Sequence, residues 1–130
     1  MVANFFDTVV PKFQAALPKD GQIPSAEFCD AADAIIKIFD TLSGMGAVQS
    51  DMGGNATYVR KKMAEFENMT IQGMCEAELA SVDGKLSKVV SKTGSMCCSL
   101  LWLKRALRMI EGCAWLARAS TPPSPFPAAE

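Results

Sequence analysis

Histidine is absent from all 130 residues. Without an imidazole no Ser-His-Asp or Cys-His nucleophile can be assembled, and histidine metal ligation is excluded. A G-x-x-x-x-G-K-[ST] phosphate loop and a G-x-G-x-x-G dinucleotide fingerprint are missing too. Glu76 and Glu78 lie two residues apart, on different faces of a helix, and make a poor acid–base pair. Neither an enzyme nor a cofactor is expected. Charge of one sign is equally lacking: 13 Lys and Arg stand against 14 Asp and Glu, a net charge of −1. Nucleic acid rewards a concentrated basic excess, so it is not an expected partner. Every long apolar stretch is broken by charge before reaching the ~20 residues of a membrane span. The start, Met1-Val-Ala-Asn-Phe-Phe-Asp7, has no basic region and continuous apolar core like those of a signal peptide. A cytoplasmic location is the resulting expectation.

Five cysteines are present, an odd number, with no C-x-x-C spacing. Cys97 and Cys98 are adjacent and would point to different sides of a helix, which suits neither zinc nor a mutual disulfide. In a reducing compartment they read as thiols in or near a core. Asn55-Ala-Thr57 and Asn68-Met-Thr70 match the glycosylation sequon, which has no use without secretion.

What is present is helical periodicity in a chain long enough for one domain with a real core. Phe5, Val9 and Phe13 recur at a spacing of four within a first helix over 4–16, whose start Pro11 should weaken or bend. Pro18-Lys-Asp-Gly21 predicts a turn. A second helix opens near Pro24, with Phe28, Ala31, Ile35, Ile38 and Leu42 as its inner face, and stops at Ser43-Gly44. Gly46 is expected to allow a tight reversal. A third helix is predicted from 47 to 66 despite Gly53-Gly54, which cost ~1 kcal/mol each against alanine. Such a pair implies a close approach to the backbone by a neighbouring helix or a ligand. A fourth helix covers 70–81. Val82 to Thr93 reads as a loop with room for one more turn. Met96, Leu100, Leu103, Leu107, Ile110, Ala114 and Ala117 mark a long last helix. The Pro-rich stretch 121–130 cannot be helical and is expected to be a disordered tail, leaving 1–120 as the domain.

Two segments carry chemistry. In Ser50-Asp-Met-Gly-Gly-Asn-Ala-Thr57 a carboxylate and an amide, Asp51 and Asn55, fall one helical turn apart on one face. In Leu100-Leu-Trp-Leu-Lys-Arg-Ala-Leu-Arg108 an indole, Trp102, is followed three residues on by Arg105. A carboxylate, an amide and a flat aromatic surface are what holds a sugar ring: the polar groups take hydroxyls, and the indole covers the C–H face. Each residue also fits a blander role. Asp51 could sit on a helix dipole, Asn55 in solvent, Trp102 at the edge of a core, and Lys104, Arg105 and Arg108 on a solvated basic face.

The two segments, in this order, resemble the S-D-[IM]-G-G-N-[IA]-T and L-[LM]-W-L-K-R-[GA]-L-R stretches of glycolipid transfer proteins, particularly plant and algal ones. The resemblance covers most of residues 5–118, with Phe28 to Leu42 and Cys75-Glu-Ala-Glu-Leu79 at about the family's places. It implies an all-α, two-layer helical sandwich whose C-terminal helices are missing here, together with the family's histidine. It also implies a job: non-catalytic carriage of a glycosphingolipid between membranes. By the same match Asp51 would accept hydrogen bonds from sugar hydroxyls and the ceramide amide, Asn55 would donate and accept toward the sugar, and Trp102 would stack on it. Tyr58 stands where the family has Lys or Arg, offering a hydroxyl in place of a cation. The implied partners are a glycosphingolipid and, transiently, a membrane surface, with self-association through exposed apolar faces in addition. Two rival readings stand beside the carrier. One is a truncated paralogue without transfer activity, serving as a lipid sensor or helical interaction module; the other is a plain helical adaptor.

Overall fold

The core gathers buried apolar side chains from α-helices, many of them alanine or methionine. A computed structural model describes residues 4–67, 70–90 and 95–120, with the side chains of 90, 113–118 and 120 outside the description. Its elements are α1 (Phe5–Ala15), α2 (Ser25–Ile36), a 3-10 turn (Lys37–Thr41), α3 (Gly46–Glu65), α4 (Ile71–Ala80), α5 (Leu86–Val90) and α6 (Met96–Ser120). The protein is all-α, and no strand occurs among the described residues. The Pro-rich segment and the ends of the predicted last-helix seam, Ala114 and Ala117, lie outside the described side chains.

Packing runs in the order α1, α2, α3, α6, each helix against the next, with α4 and α5 laid on α6. Ala32 and Ile36 of α2, Phe39 of the 3-10 turn, Met52 and Ala56 of α3 and Leu103 of α6 make one buried cluster. Cys29, Val59, Ile71, Met74 and Met96 make a second at the other end, where α4 joins. Methionines fill both clusters, as a flexible thioether can where helices cross at irregular gaps.

Helix ends follow their local chemistry. Asn4 caps α1 and exchanges a reciprocal capping-box bond with Asp7, and the helix then runs unbroken through Pro11. The predicted turn is a tight reversal in which Asp20 (φ 52°) and Gly21 (φ 76°) both take left-handed backbone. Lys19 and Gln22 exchange two backbone hydrogen bonds across it, at 2.8 and 2.9 Å. Thr70 caps α4 by accepting from the Gly73 amide at 3.2 Å. The two features are stapled together: Ile71 N–H donates to the Ile23 carbonyl at 2.9 Å, and Gln72 Oε1 accepts from Ile23 N–H at 2.9 Å.

The inner face of the second helix differs from the one its periodicity predicts. The deepest positions are Cys29, Ala31, Ala32, Ala34, Ile36 and Phe39, while Leu42 is 47% exposed. From Lys37 the winding switches to 3-10, which tightens the turn to three residues and brings Phe39 into the core while Leu42 turns outward. Before that switch the expected Phe28 and Ile35 do pack against the core, from its half-buried edge, while Ala32 and Ile36 lie deeper in the cluster shared with α3. α2 is packed between α1 and α3, so its burial extends beyond a single stripe. The reversal after this helix uses Gly44 (φ 82°), and Gly46 already opens α3.

Candidate functional site

α3 and α6 are neighbours, and this brings together residues far apart in sequence. Asp51 projects from the second turn of α3, Trp102 from the second turn of α6, and both line one open mouth of about 410 Å³. Ala47, Val48, Ala106 and Met109 form its apolar walls, and Arg105 completes the lining. Trp102 is 51% exposed, although its neighbour Leu103 is wholly buried. Helical geometry explains the contrast, since consecutive residues point about 100° apart. Leu103 faces α3, and the indole stands over the mouth. Arg105 lies over the Trp102 ring with its guanidinium carbon 5.0 Å from the ring centroid, a cation–π contact.

The other expected site residues do not line this mouth. Asn55 sits one turn further along α3, where its Nδ2 donates to the Asp51 carbonyl at 2.9 Å. One of the amide's two N–H groups is thereby engaged by its own helix, and the other N–H and the carbonyl oxygen are left for an outside group. Tyr58 lies in a separate cleft of about 340 Å³ between α3, α4 and α5, in company with Glu78 and Lys88. Lys62 approaches its ring at 5.8 Å. Arg60, one position short of Lys61, reaches across to α2 and pairs with Asp30 at 3.0 Å and Asp33 at 2.6 Å. The bond to Asp33 is the main reason its charged form is favoured.

Gly53 and Gly54 follow Asp51, and a Cβ built on either would meet nothing within 4 Å. Close packing of a neighbouring helix, one of the two reasons inferred from sequence, is therefore ruled out. The space beside them is open.

A second recess shares α6. Phe13 of α1, Phe28 and Ile35 of α2, and Leu107 and Ile110 of α6 line an apolar groove of about 410 Å³, rimmed by Lys104, Arg108 and Glu111. It continues past Leu17 and Ile23 into a smaller pocket of about 180 Å³ that again includes Phe13, Phe28 and Leu107. An apolar face of α1 is left open, with Phe6, Val10 and Phe13, and Leu17 just past the helix end, between 40% and 61% exposed.

Comparisons with known proteins bear on the family of the chain. The family model described as "Glycolipid transfer protein (GLTP)" matches residues 23–121. This chain belongs to the glycolipid transfer protein family. A relative from Aureobasidium melanogenum, described as "Glycolipid transfer protein", is 31% identical over 108 residues, which make up 80% of this chain and 49% of the relative. The chain thus spans about half the length of that curated relative. No solved structure matches it significantly.

Cys29, Cys75 and Cys97 are placed for packing rather than reactivity. Cys29 is buried, and burial pushes its pKa up to about 11. Burial also raises Cys75 and Cys97, the latter further by a hydrogen bond to Glu78. Among the described residues no group of three His, Cys, Asp or Glu is arranged to hold a metal, and no helix is long and apolar enough to cross a membrane.

Sequence reasoning missed Glu78 and Ser95. Glu78 was set aside as half of a poor acid–base pair, yet its carboxylate accepts the backbone N–H groups of Met96 and Cys97. Ser95 accepts from Cys98 N–H at 3.0 Å and donates to the Val89 carbonyl. A serine immediately before a long apolar-periodic run was a readable N-cap signal. Glu78, distant in sequence, carried none.

Proposed function

We propose that this protein binds a glycosphingolipid and carries it between membranes without catalysing a reaction. The observation that carries the reading is the shared mouth of Asp51 and Trp102, one helix face away from an apolar groove on the same α6. Asp51 accepts hydrogen bonds from sugar hydroxyls, and the exposed indole stacks on the apolar face of the ring. Asn55 contributes its carbonyl oxygen and its second N–H from one turn further along α3, and Tyr58, two turns along, opens into a separate cleft. The hydrocarbon chains lie along Phe13, Phe28, Ile35 and Leu107, gaining ~25 cal/mol for each Å² removed from water. Residues 1–120 are the lipid-binding unit, working at a cytoplasmic membrane surface that it touches transiently. The name of the Aureobasidium melanogenum relative supports the same assignment.

A second reading draws on the open apolar face of α1. A chain that senses lipid, or docks another helix or a second copy of itself through Phe6, Val10 and Leu17, needs the same exposed stripe but no transfer. Fluorescent glucosylceramide transfer between phosphatidylcholine vesicles separates the two. The carrier reading expects transfer that Asp51→Val and Trp102→Ala each weaken by ~1–3 kcal/mol, the scale for losing a buried polar partner or a large aromatic contact. Transfer that both substitutions leave unchanged would sink the site assignment, and binding without transfer would favour the sensor.

A further inference from the structure

We infer that Arg105 is a positioning residue of the headgroup mouth, holding the Trp102 indole by one face so that the other is presented for stacking. The inference rests on the sugar-binding reading of that mouth.

Three observations lead to it. First, a half-exposed tryptophan on a helix surface has few packing contacts to fix its ring, and Trp102 is 51% exposed. A platform that rotates freely gives up orientation entropy each time a sugar settles on it. Second, the guanidinium over the ring supplies the missing constraint. At 5.0 Å from the centroid it covers one indole face, and an arginine three residues on is in helical register to do so. A planar guanidinium stacks where a lysine ammonium makes only a point contact. Third, Arg105 and Asp51 line the same mouth with opposite charge, yet they form no ion pair with each other. Among the described residues neither has any ion-pair partner: the salt bridges there are those of Arg60 and Lys62. Arg105 is therefore not diverted from the ring by a carboxylate, and Asp51 stays open across the gap. Lys104 and Arg108, on the same helix, rim the apolar groove instead and cannot substitute.

The test uses the full chain with glucosylceramide in phosphatidylcholine vesicles. Arg105→Ala, Arg105→Lys and Trp102→Ala are compared for affinity, with circular dichroism to confirm equal helix content. The protein has two tryptophans, so acrylamide quenching and fluorescence anisotropy are read in a Trp115→Phe background where Trp102 is the sole indole. Arg105→Ala is expected to raise quenching, lower anisotropy without lipid, and weaken binding about three- to fivefold, the size of a surface cation–π contact. Arg105→Lys is expected to recover only part of each. Full recovery by lysine would overturn the stacking argument in favour of charge alone. Unchanged anisotropy and affinity in Arg105→Ala, with binding lost in Trp102→Ala, would overturn the role of Arg105 while keeping the site. Binding that survives Trp102→Ala at full strength would remove the site reading itself, and the positioning role with it.

Discussion

The carboxylate of Glu78 accepts the backbone N–H of Cys97 at 2.7 Å, and its second oxygen takes the N–H of Met96 at the same distance. A side chain of α4 thus closes the first turn of α6, where amide groups have no partner within the helix and the dipole favours negative charge. Ser95 adds the ordinary cap one residue earlier. The helix carrying Trp102 is therefore anchored from two directions at its N-terminus.

Removing this anchor should register as stability. Glu78→Ala is expected to cost about 1–2 kcal/mol, the range for losing a charged cap at a helix N-terminus. Glu78→Gln keeps an acceptor but loses the charge, and should fall between the alanine variant and the parent. Urea unfolding at neutral pH measures both. An alanine variant as stable as the parent would show that water replaces the carboxylate at no cost.

Alkaline pH should weaken the fold through Cys29. Its thiol titrates near 9.0 when unburied and near 11 in the folded chain. Between those values the unfolded chain releases a proton that the native chain retains, so stability is full below about pH 9 and declines as pH rises toward 11. Cys75 and Cys97 are shifted in the same direction and add to the decline. Comparing the slope of unfolding free energy against pH for the parent and Cys29→Ala isolates the Cys29 share. Absolute stability is no guide here, because alanine also leaves a small cavity. Identical slopes would mean the thiol is not shielded in solution.

The glycine pair offers a prediction of opposite sign. Gly53 and Gly54 lie inside α3 with room for a Cβ. Alanine at either position should therefore stabilise the chain by about 1 kcal/mol, by helix propensity and a less flexible unfolded state. If headgroup binding uses the open space beside Asp51, the same variants should bind glucosylceramide less well. Thermal unfolding and lipid binding on the same samples decide it. Greater stability with undiminished binding would show that no ligand approaches that strip of backbone.

Much of this architecture was legible because it is local. The Asp20-Gly21 reversal and the three-four stripe of α6 each state their geometry within a few residues, and α3 and α4 fall within a residue of their predicted ends. The register beyond Lys37 was not legible, because a 3-10 turn there changes the period and nothing in the apolar pattern announces it. Glu78 was missed for a different reason, since its partners come from another helix. At the mouth, motif order picked out Asp51 and Trp102, and the packing of α3 on α6 places them together. The same motif says nothing of the bond that engages the Asn55 amide with its own helix, or of the cleft that takes Tyr58.

The adjacent pair Trp102 and Leu103 separates the site from the core. Leu103 is 0% exposed and packs against Ala32, Ile36, Phe39, Met52 and Ala56. Its truncation to alanine removes apolar contacts on all sides and leaves a cavity that the α2–α3–α6 packing cannot close, at ~2–5 kcal/mol. Trp102 has half its surface in water and loses mainly its contact with Arg105, so Trp102→Ala should change stability by no more than ~1 kcal/mol. Lipid binding should reverse the ranking: the tryptophan variant loses the stacking surface, while Leu103→Ala at a temperature where it stays folded retains it. Urea unfolding together with glucosylceramide binding on both variants gives the comparison. If Trp102→Ala proves as destabilising as Leu103→Ala, the indole is a structural side chain of α6, and its exposure at the mouth has no bearing on ligand recognition.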